Sequence, residues 1–514
     1  MTMYRDLDTL ARAVLEVDEK VKDYLEVAAI LEAIGITPRV AEELGYPDTF
    51  ELAKEVMKII DYYRLTLGEI LAEEKPTRLQ RMMEAVKLFI SGIFFSAPWL
   101  LITISYTLFG ISLLPVYEEP LRATAIDIAL ILSIVITSIL PPMFMRKLQF
   151  HFYQEDYATS QKILMLYYVI GVLTISGSSI VIWLIFKFLP YPDWWTLYTL
   201  IYYVPFSFFW LSVAPLYSFQ KYFALASSYV ISLLFIGVMY RIVEARLSLH
   251  LLHVYGMMLG AFFAIMYSTS MLYIRYKVLG VTSEPTISPR LSFIIYSGLS
   301  YSLIGALYFI FLFTDRILVW SMTKAPYPLL ANIDYEKTAN LSLLVLVAPF
   351  GVINYYLRKI YEEILKEGDR FTVKEIEKYR SKIAQRYRNA CLMTFGSGIG
   401  SLMILFYLFK NLGWIPTGFH VTVFLFSGVS YALIPLFFIG WLLGTFLYKP
   451  ELFVKPLILS LSMNVVLGFI LTRYIGMEYA SLSFMISTIV LTIASLWRSL
   501  RVVKEVDYAY YSAF

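Results

Sequence analysis

From Lys87 onward the chain carries about twelve apolar runs, each long enough at ~1.5 Å per helical residue to cross a hydrocarbon core of about 30 Å. They lie near residues 88–114, 123–145, 162–189, 195–218, 221–243, 249–276, 291–318, 340–360, 389–411, 420–447, 452–473 and 477–498. Lipid offers no partner to an exposed N–H or C=O, so segments of this length must be helices. The fold class is therefore all-α, a polytopic membrane protein. With 59% hydrophobic residues and 16% charged ones, the chain has too much apolar surface for a soluble core to hide. The first partner it implies is the lipid bilayer of the cell (plasma) membrane, and nucleic acid is not expected. One cysteine, Cys391, excludes an intramolecular disulfide and a cysteine metal cluster, and His151, His250, His253 and His420 leave little for a histidine site. There is no Walker phosphate loop, so neither ATP hydrolysis nor a cofactor is expected.

Residues 1–86 are a different material. Apolar residues recur at helical spacing through Leu7, Leu10, Val14, Leu15 and Val17, and again through Tyr24, Val27, Ala28 and Leu31. Gly35 stops one helix, Thr37-Pro38 starts another, and Gly45-Tyr46-Pro47-Asp48 is a further break before Phe50, Leu52, Ala53, Val56 and Met57. This predicts a small cytoplasmic helical domain that acts as a solubilising cap or docks a partner. The charged, helix-patterned start does not resemble a cleavable signal peptide.

Lys and Arg placement orients the chain. With the N-terminal domain cytoplasmic, inner loops and tail carry about 22 basic residues against about 9 outside. About ten of the 22 lie within residues 358–388, while Arg78, Arg81 and Lys87 stand beside the first span. An even number of spans puts both termini inside. Trp194, Trp195, Trp320 and Trp414 then fall near the outer interface, where indole rings prefer to sit.

Features recur at an offset of about 210–220 residues, the pattern that duplication of a six-span unit leaves. Met145-Arg146-Lys147-Leu148 follows the second span and Leu357-Arg358-Lys359-Ile360 the eighth. Ala214-Pro215-Leu216-Tyr217 lies in the fourth span and Ile434-Pro435-Leu436-Phe437 in the tenth. Prolines interrupt the second span at Pro141 and Pro142 and the eighth at Pro349. Two pseudo-symmetric six-helix lobes follow, an N-lobe over 87–280 and a C-lobe over 281–514 with a short cytoplasmic tail. A bent helix is tolerated in lipid where neighbours or water satisfy the freed carbonyl, which makes Pro98, Pro141, Pro215, Pro349 and Pro435 candidate bends facing a cleft.

Four stretches carry a resemblance to a known family. Phe95-Ser96-Ala97-Pro98-Trp99-Leu100-Leu101 resembles the Ser-Gly-Pro-Trp segment in the first helix of the PelG family of exopolysaccharide exporters, within the MOP flippase superfamily. Met145-Arg146-Lys147-Leu148 through Glu155-Asp156-Tyr157 is similar to that family's loop after helix two. Asp315-Arg316-Ile317-Leu318-Val319-Trp320 is similar to its Asp-Lys-x-x-x-Trp at the end of helix seven, and Tyr361-Glu362-Glu363 through Tyr379 resembles its long charged loop after helix eight. The chain departs from the pattern at Ala97, where the family has glycine, and at Arg316, where it has lysine. A helical domain replaces the family's glycine- and phenylalanine-rich N-terminal motif. The resemblance implies a two-lobed transporter that moves a glycan or lipid-linked glycan outward by alternating access, beside a cytoplasmic glycosyltransferase.

Candidate residues on such a path are Asp127, Asp315, Arg316, Asn354, Asn464 and Arg275. A carboxylate near mid-bilayer costs about 2.5–3.5 kcal/mol on insertion scales, so Asp127 must face protein or water. Asp315 and Arg316 diverge by ~100° on a helix and cannot satisfy each other, so each needs another partner. Their alternatives are an interfacial anchor with Trp320 or the outer mouth of the path. Arg275 and Lys277 suit either a phosphate at the inner mouth or a positive-inside anchor. Asn354 and Asn464 are uncharged cleft candidates, and Tyr202, Tyr203, Tyr229, Tyr301 and Tyr431 lie within spans as packing or sugar-stacking groups. Arg241 and Glu244 are spaced for a simple salt bridge.

Two other functions compete with glycan export: a multidrug exporter of the same superfamily, and a polytopic glycosyltransferase or polymerase acting on lipid-linked sugars. Such an enzyme needs acidic motifs in a large outer loop, whereas residues 321–339 offer only Asp334 and Glu336, so no enzyme is expected. The topology has a direct test. In a Cys391-free background, new cysteines at Thr372 and Ser321 should react with an impermeant maleimide from opposite sides of the membrane; reaction from one side would overturn the span count.

Overall fold

The computed structural model describes residues 7–18, 21, 23–70, 77–96, 101, 119–243, 249–277, 290–323, 326–368, 375–416 and 418–511. The chain divides into two compact units, residues 1–85 with 363–379 and residues 86–362 with 380–514. In the first, α1 (Leu7–Val17), α2 (Tyr24–Ala33), α3 (Pro38–Glu43) and α4 (Thr49–Ile70) enclose a small core of their own. Leu10, Val14, Val27, Leu31, Leu52, Val56 and Ile60 are buried there, as the helical spacing predicts. Val17, Tyr24 and Phe50, read into the same stripes, point outward instead. Asp23 caps α2, its Oδ1 accepting from the N–H groups of Leu25 and Glu26 at 2.9 and 3.0 Å. Gly35 and Gly45 end α2 and α3 with φ of +96° and +90°, a conformation that side chains disfavour.

Among its described residues the second unit is built of helices joined by short turns and loops, with no strand. Its first lobe contains α5 (Arg78–Phe95), α6 (Pro120–Thr137), α7 (Leu140–Tyr153), α8 (Tyr157–Lys187), α9 (Asp193–Ser218), α10 (Tyr222–Val243) and α11 (Leu249–Lys277). The second contains α12 (Leu291–Trp320), α13 (Ile333–Ser342), α14 (Val347–Gly368), α15 (Ile376–Asn411), α16 (Gly418–Phe446), α17 (Glu451–Tyr474) and α18 (Ala480–Lys504), with α19 (Val506–Tyr511) closing the chain. Eleven spans among the described residues are long and apolar enough to cross a membrane. The first expected span lies largely outside the described residues, and Pro98 with it.

The second span is broken at Ser138 and Ile139, between α6 and α7, where Pro141 and Pro142 in the first turn of α7 withhold two N–H donors. Ser302 Oγ of α12 donates to the Ile139 carbonyl at 2.6 Å, so the neighbouring helix satisfies backbone that the break exposes. The eighth span is interrupted at the matching place. A tighter 3₁₀ segment, Leu343–Leu346, joins α13 to α14, and Pro349 falls in the first turn after it rather than at the bend itself. Pro215 and Pro435 sit inside α9 and α16. Packing repeats as well. α9 lies against α6 and α11 while α16 lies against α13 and α18, and α10 packs on α11 as α17 packs on α18.

Beyond α18, Arg380 Nε and Nη2 donate to Asp507 Oδ1 and Oδ2 at 2.7 and 2.8 Å, fastening α19 to α15. These bonds hold the Asp507 carboxyl below its usual value. The tie is at full strength above the ordinary carboxylate range and weakens as pH falls through the lowered value.

The lobes meet through glycines. A Cβ on Gly298 would lie 2.6 Å from Met143 Cα, and one on Gly92 would lie 2.5 Å from the Phe350 oxygen and 2.7 Å from Gly351 Cα. Gly298→Ala and Gly92→Ala must therefore push backbone apart and should each cost about 1–3 kcal/mol, as overpacking does. Gly396→Ala, with nothing within 4 Å of the added carbon, should be neutral or slightly stabilising. Thermal unfolding of detergent-purified variants checks this: equal midpoints for all three would contradict the close lobe contact.

Candidate functional site

Asp315 and Arg316 close the last full turns of α12, and α13 returns beside them. Asn332 starts that return, its Oδ1 accepting the Tyr335 N–H at 2.9 Å, so α13 begins at Ile333 and carries Tyr335 and Glu336 alongside α12. Arg316 Nη1 donates to Glu336 Oε2 at 2.6 Å and to Asn340 Oδ1 at 2.8 Å. Trp320 Nε1 donates to Glu336 Oε1 at 2.9 Å. Residues one turn apart on each helix, 316 with 320 and 336 with 340, thus clasp one another. The Tyr335 hydroxyl donates to Asp315 Oδ2 at 2.7 Å. Adjacent charges that cannot pair together have each found a separate partner, as the helical geometry requires.

None of these groups is at a wet rim. Asp315 is 0% exposed, Arg316 5% and Glu336 8%. Trp320 and Trp195, expected at the membrane interface, are buried in protein, because their indoles serve internal contacts. Tyr431 of α16 is fully buried near Arg316, its hydroxyl without a hydrogen-bond partner among the described residues. Asp127 of α6, in the other lobe, is half-buried and within electrostatic reach of Glu336 and Arg316.

Three carboxylates and one guanidinium make a poor stabilising cluster. Removing ions from water costs several kcal/mol each, repaid only when every polar atom is bonded. Here Asp315 Oδ1 and Arg316 Nε and Nη2 are buried without a hydrogen-bond partner among the described residues. Ionisable groups kept inside a membrane at such a cost point to function rather than packing.

Other expected residues lie elsewhere. Asn354 Nδ2 donates to the Leu88 carbonyl at 2.7 Å, tying α14 to α5 across the lobes. Asn464 is buried inside the second lobe, accepting from Ser483 Oγ at 2.9 Å. Arg275 Nη1 donates to the Tyr157 hydroxyl at 3.3 Å, and its guanidinium lies over the Phe152 ring, within the first lobe. Glu244 lies outside the described residues, so the spacing read for Arg241 has no counterpart here. Sequence reasoning missed Glu336, assigning it to a loop. Its signal was present: an Asn332 cap, then Glu336 and Asn340 one turn apart.

Around the cluster, polar and aromatic contacts join the lobes, in addition to the packing of α12 on α6 and α7. The Ala331 N–H donates to Thr124 Oγ1 at 2.8 Å. The Tyr191 hydroxyl donates to the Leu329 carbonyl at 2.8 Å and accepts the Leu329 N–H at 3.1 Å. The Tyr191 ring stacks between Trp195 at 3.9 Å and Tyr327 at 5.3 Å. Beneath lies an apolar cavity of about 360 Å³ that includes Ile128, Ile131, Ile317 and Trp320 in its walls. At the opposite end, Arg146 of the first lobe lies between the rings of Tyr301 and Tyr448 of the second, 4.7 and 4.0 Å from their centroids.

Two lobes of repeated helices, bent in matching spans and meeting around buried charge, define a membrane transporter of the flippase type. Solved structures agree on the fold. A multidrug resistance MATE family transporter of the MOP superfamily, in an outward-facing conformation, is 13% identical with a TM-score of 0.61, over 82% of this chain and 96% of that one. A MOP superfamily transporter from Pyrococcus furiosus, described as having a reverse-polarity binding pocket, is 13% identical at a TM-score of 0.60 over the same shares. No curated protein sequence matches the chain. A family model described as "PelG: Putative exopolysaccharide Exporter (EPS-E)" matches residues 75–511, and the chain belongs to that family.

The buried pair can be tested by a cycle of substitutions. Arg316→Met or Glu336→Leu alone should cost about 3–5 kcal/mol by stranding the other charge, whereas the two together should recover most of that loss. Thermal midpoints of the four proteins decide it, and simple additivity would mean that the two groups do not act as a pair.

Proposed function

We propose that this exporter carries an exopolysaccharide or lipid-linked glycan across the cell membrane by alternating access, its lobes rocking about a central cleft. Membership of the PelG family over residues 75–511 is the observation that carries the substrate class. Lobe contacts of two kinds support the movement. The Tyr191, Tyr327 and Thr124 contacts close one end, the Arg146 contacts the other, and each set can part without disturbing a lobe's own core.

In this reading both termini are cytoplasmic and the Trp320 end faces outward. Asp315, Arg316 and Glu336 then lie beneath the outer end of the lobe interface, buried while that end is closed and reached by cargo when it opens, with Asp127 opposite them on the first lobe. Glycan hydroxyls take hydrogen bonds from such groups, while the C–H faces of sugars suit tyrosine and tryptophan rings. The protein performs no covalent step. Its driving force is an ion gradient or the pull of polymer synthesis, and a cytoplasmic glycosyltransferase supplies the cargo. The N-terminal helical domain is a place where that enzyme could dock.

A multidrug exporter is the competing reading, and one experiment separates them. In cells lacking the native gene, Asp315→Asn and Arg316→Gln should each lower surface glycan several-fold when normalised to the protein inserted in the membrane, which the stranded Glu336 also reduces in Arg316→Gln. Wild-type glycan in both variants would remove these residues from the path. Unchanged glycan in the gene-deleted cells, with newly gained drug sensitivity, would reject glycan export altogether.

A further inference from the structure

A second cavity lies away from the lobe interface, at the Arg146 end of the second lobe. It measures about 410 Å³ and is lined by Lys449, Arg498 and Arg501 together with Trp497, Tyr508 and the single acid Glu505. Arg498 Nη1 donates to the Leu452 carbonyl at 2.7 Å, which fixes its guanidinium at the cavity wall. Arg501 lies 3.7 Å over the Trp497 ring, a stacked position that leaves the edge of the guanidinium free to donate. Among the described residues, no carboxylate forms an ion pair with Lys449, Arg498 or Arg501. Three cations against one acid leave this small space with a positive excess, and planar Arg forks match phosphate oxygens.

The surroundings say what kind of phosphate. Along α18, Ile489, Ile493, Trp497 and Leu500 are all exposed at spacings of four, four and three residues, an apolar stripe that runs straight into the cationic cavity. A ligand that fits both parts has an anionic head and a hydrocarbon tail. Membrane ends of helices with Trp and Arg together are where lipid headgroups lie.

We infer that this cavity is a binding site for the phosphate headgroup of an anionic phospholipid, held by Arg498, Arg501 and Lys449, with the acyl chains lying along the Ile493 and Trp497 face of α18. The site stands apart from the glycan path, so its success or failure is independent of glycan export.

Native mass spectrometry of the purified full-length protein tests it, with phosphatidylglycerol and phosphatidylcholine titrated separately. Phosphatidylglycerol should bind at least about tenfold more tightly, and Arg498→Gln with Arg501→Gln should bring it down to the phosphatidylcholine level. Arg122→Gln, at the other end of the molecule, should change nothing. Raising salt to about 1 M should weaken phosphatidylglycerol binding in the unaltered protein, a readout that needs no variant to fold. Equal affinity for the two lipids, or full affinity in the double variant, would overturn the site. Displacement by millimolar inorganic phosphate would overturn its lipid character. Displacement by a polyprenyl phosphate at a tenth of the phosphatidylglycerol concentration would overturn the assignment to bilayer phospholipid and make the carrier of a lipid-linked glycan the ligand.

Discussion

The bond from Arg316 to Glu336, 2.6 Å long and enclosed by protein, sets the terms for the centre of this molecule. A guanidinium inside a membrane must have a carboxylate, and the carboxylate must come from a helix placed to deliver it. That requirement draws α13 against α12, with Trp320 donating to the other Glu336 oxygen and Asn340 Oδ1 accepting from the guanidinium. It also brings the carboxyl groups of Asp315 and Asp127 into the neighbourhood of the same guanidinium. A purely structural cluster would be fully bonded, whereas Asp315 Oδ1 and Arg316 Nε and Nη2 have no partner among the described residues. The unmatched atoms are what a passing polar cargo or a moving helix would use.

Bent helices supply the second condition. The break before Pro141 and the 3₁₀ turn before Pro349 fall at matching places in the two lobes, and each lies on a span that borders the other lobe. Straight spans would pack along their full length and lock the lobes together. Besides the packing of α12 on the broken second span, contacts gather into an aromatic stack and backbone hydrogen bonds at one end, and an arginine held between two tyrosines at the other. Glycines such as Gly92 and Gly298 let backbones approach closely at the points between.

Much of this was legible in the sequence because membranes simplify the code. Apolar runs name the spans, and the paired Ala-Pro-Leu-Tyr and Ile-Pro-Leu-Phe segments mark the repeat. The adjacency of Asp315 and Arg316 also foretold that each would need a partner on another helix. The partner's identity was only faintly marked, by the Asn332 cap and the turn that follows it. Glu336 lies in a polar stretch whose mean hydropathy resembles a loop, and only its i, i+4 relation to Asn340 hints at a buried face. Trp195 and Trp320 misled for a related reason. Their position along the span is interfacial, but facing is set by packing between helices, which composition does not record. Asn464 was chosen for its polarity and Arg275 for its place at the inner mouth; contacts within single lobes engage both, while Asn464 Nδ2 stays buried without a partner among the described residues.

The central claim is that the lobes tilt in opposition, and distances between paired spin labels measure it most directly. Positions 188 and 474 are exposed on opposite lobes at the Trp320 end, and 223 and 296 are likewise exposed on opposite lobes at the Arg146 end. In a Cys391-free protein in nanodiscs, one pair should lengthen as the other shortens when glycan is supplied or the ion gradient reversed. Two distances that stay fixed, or that grow together, would contradict alternating access.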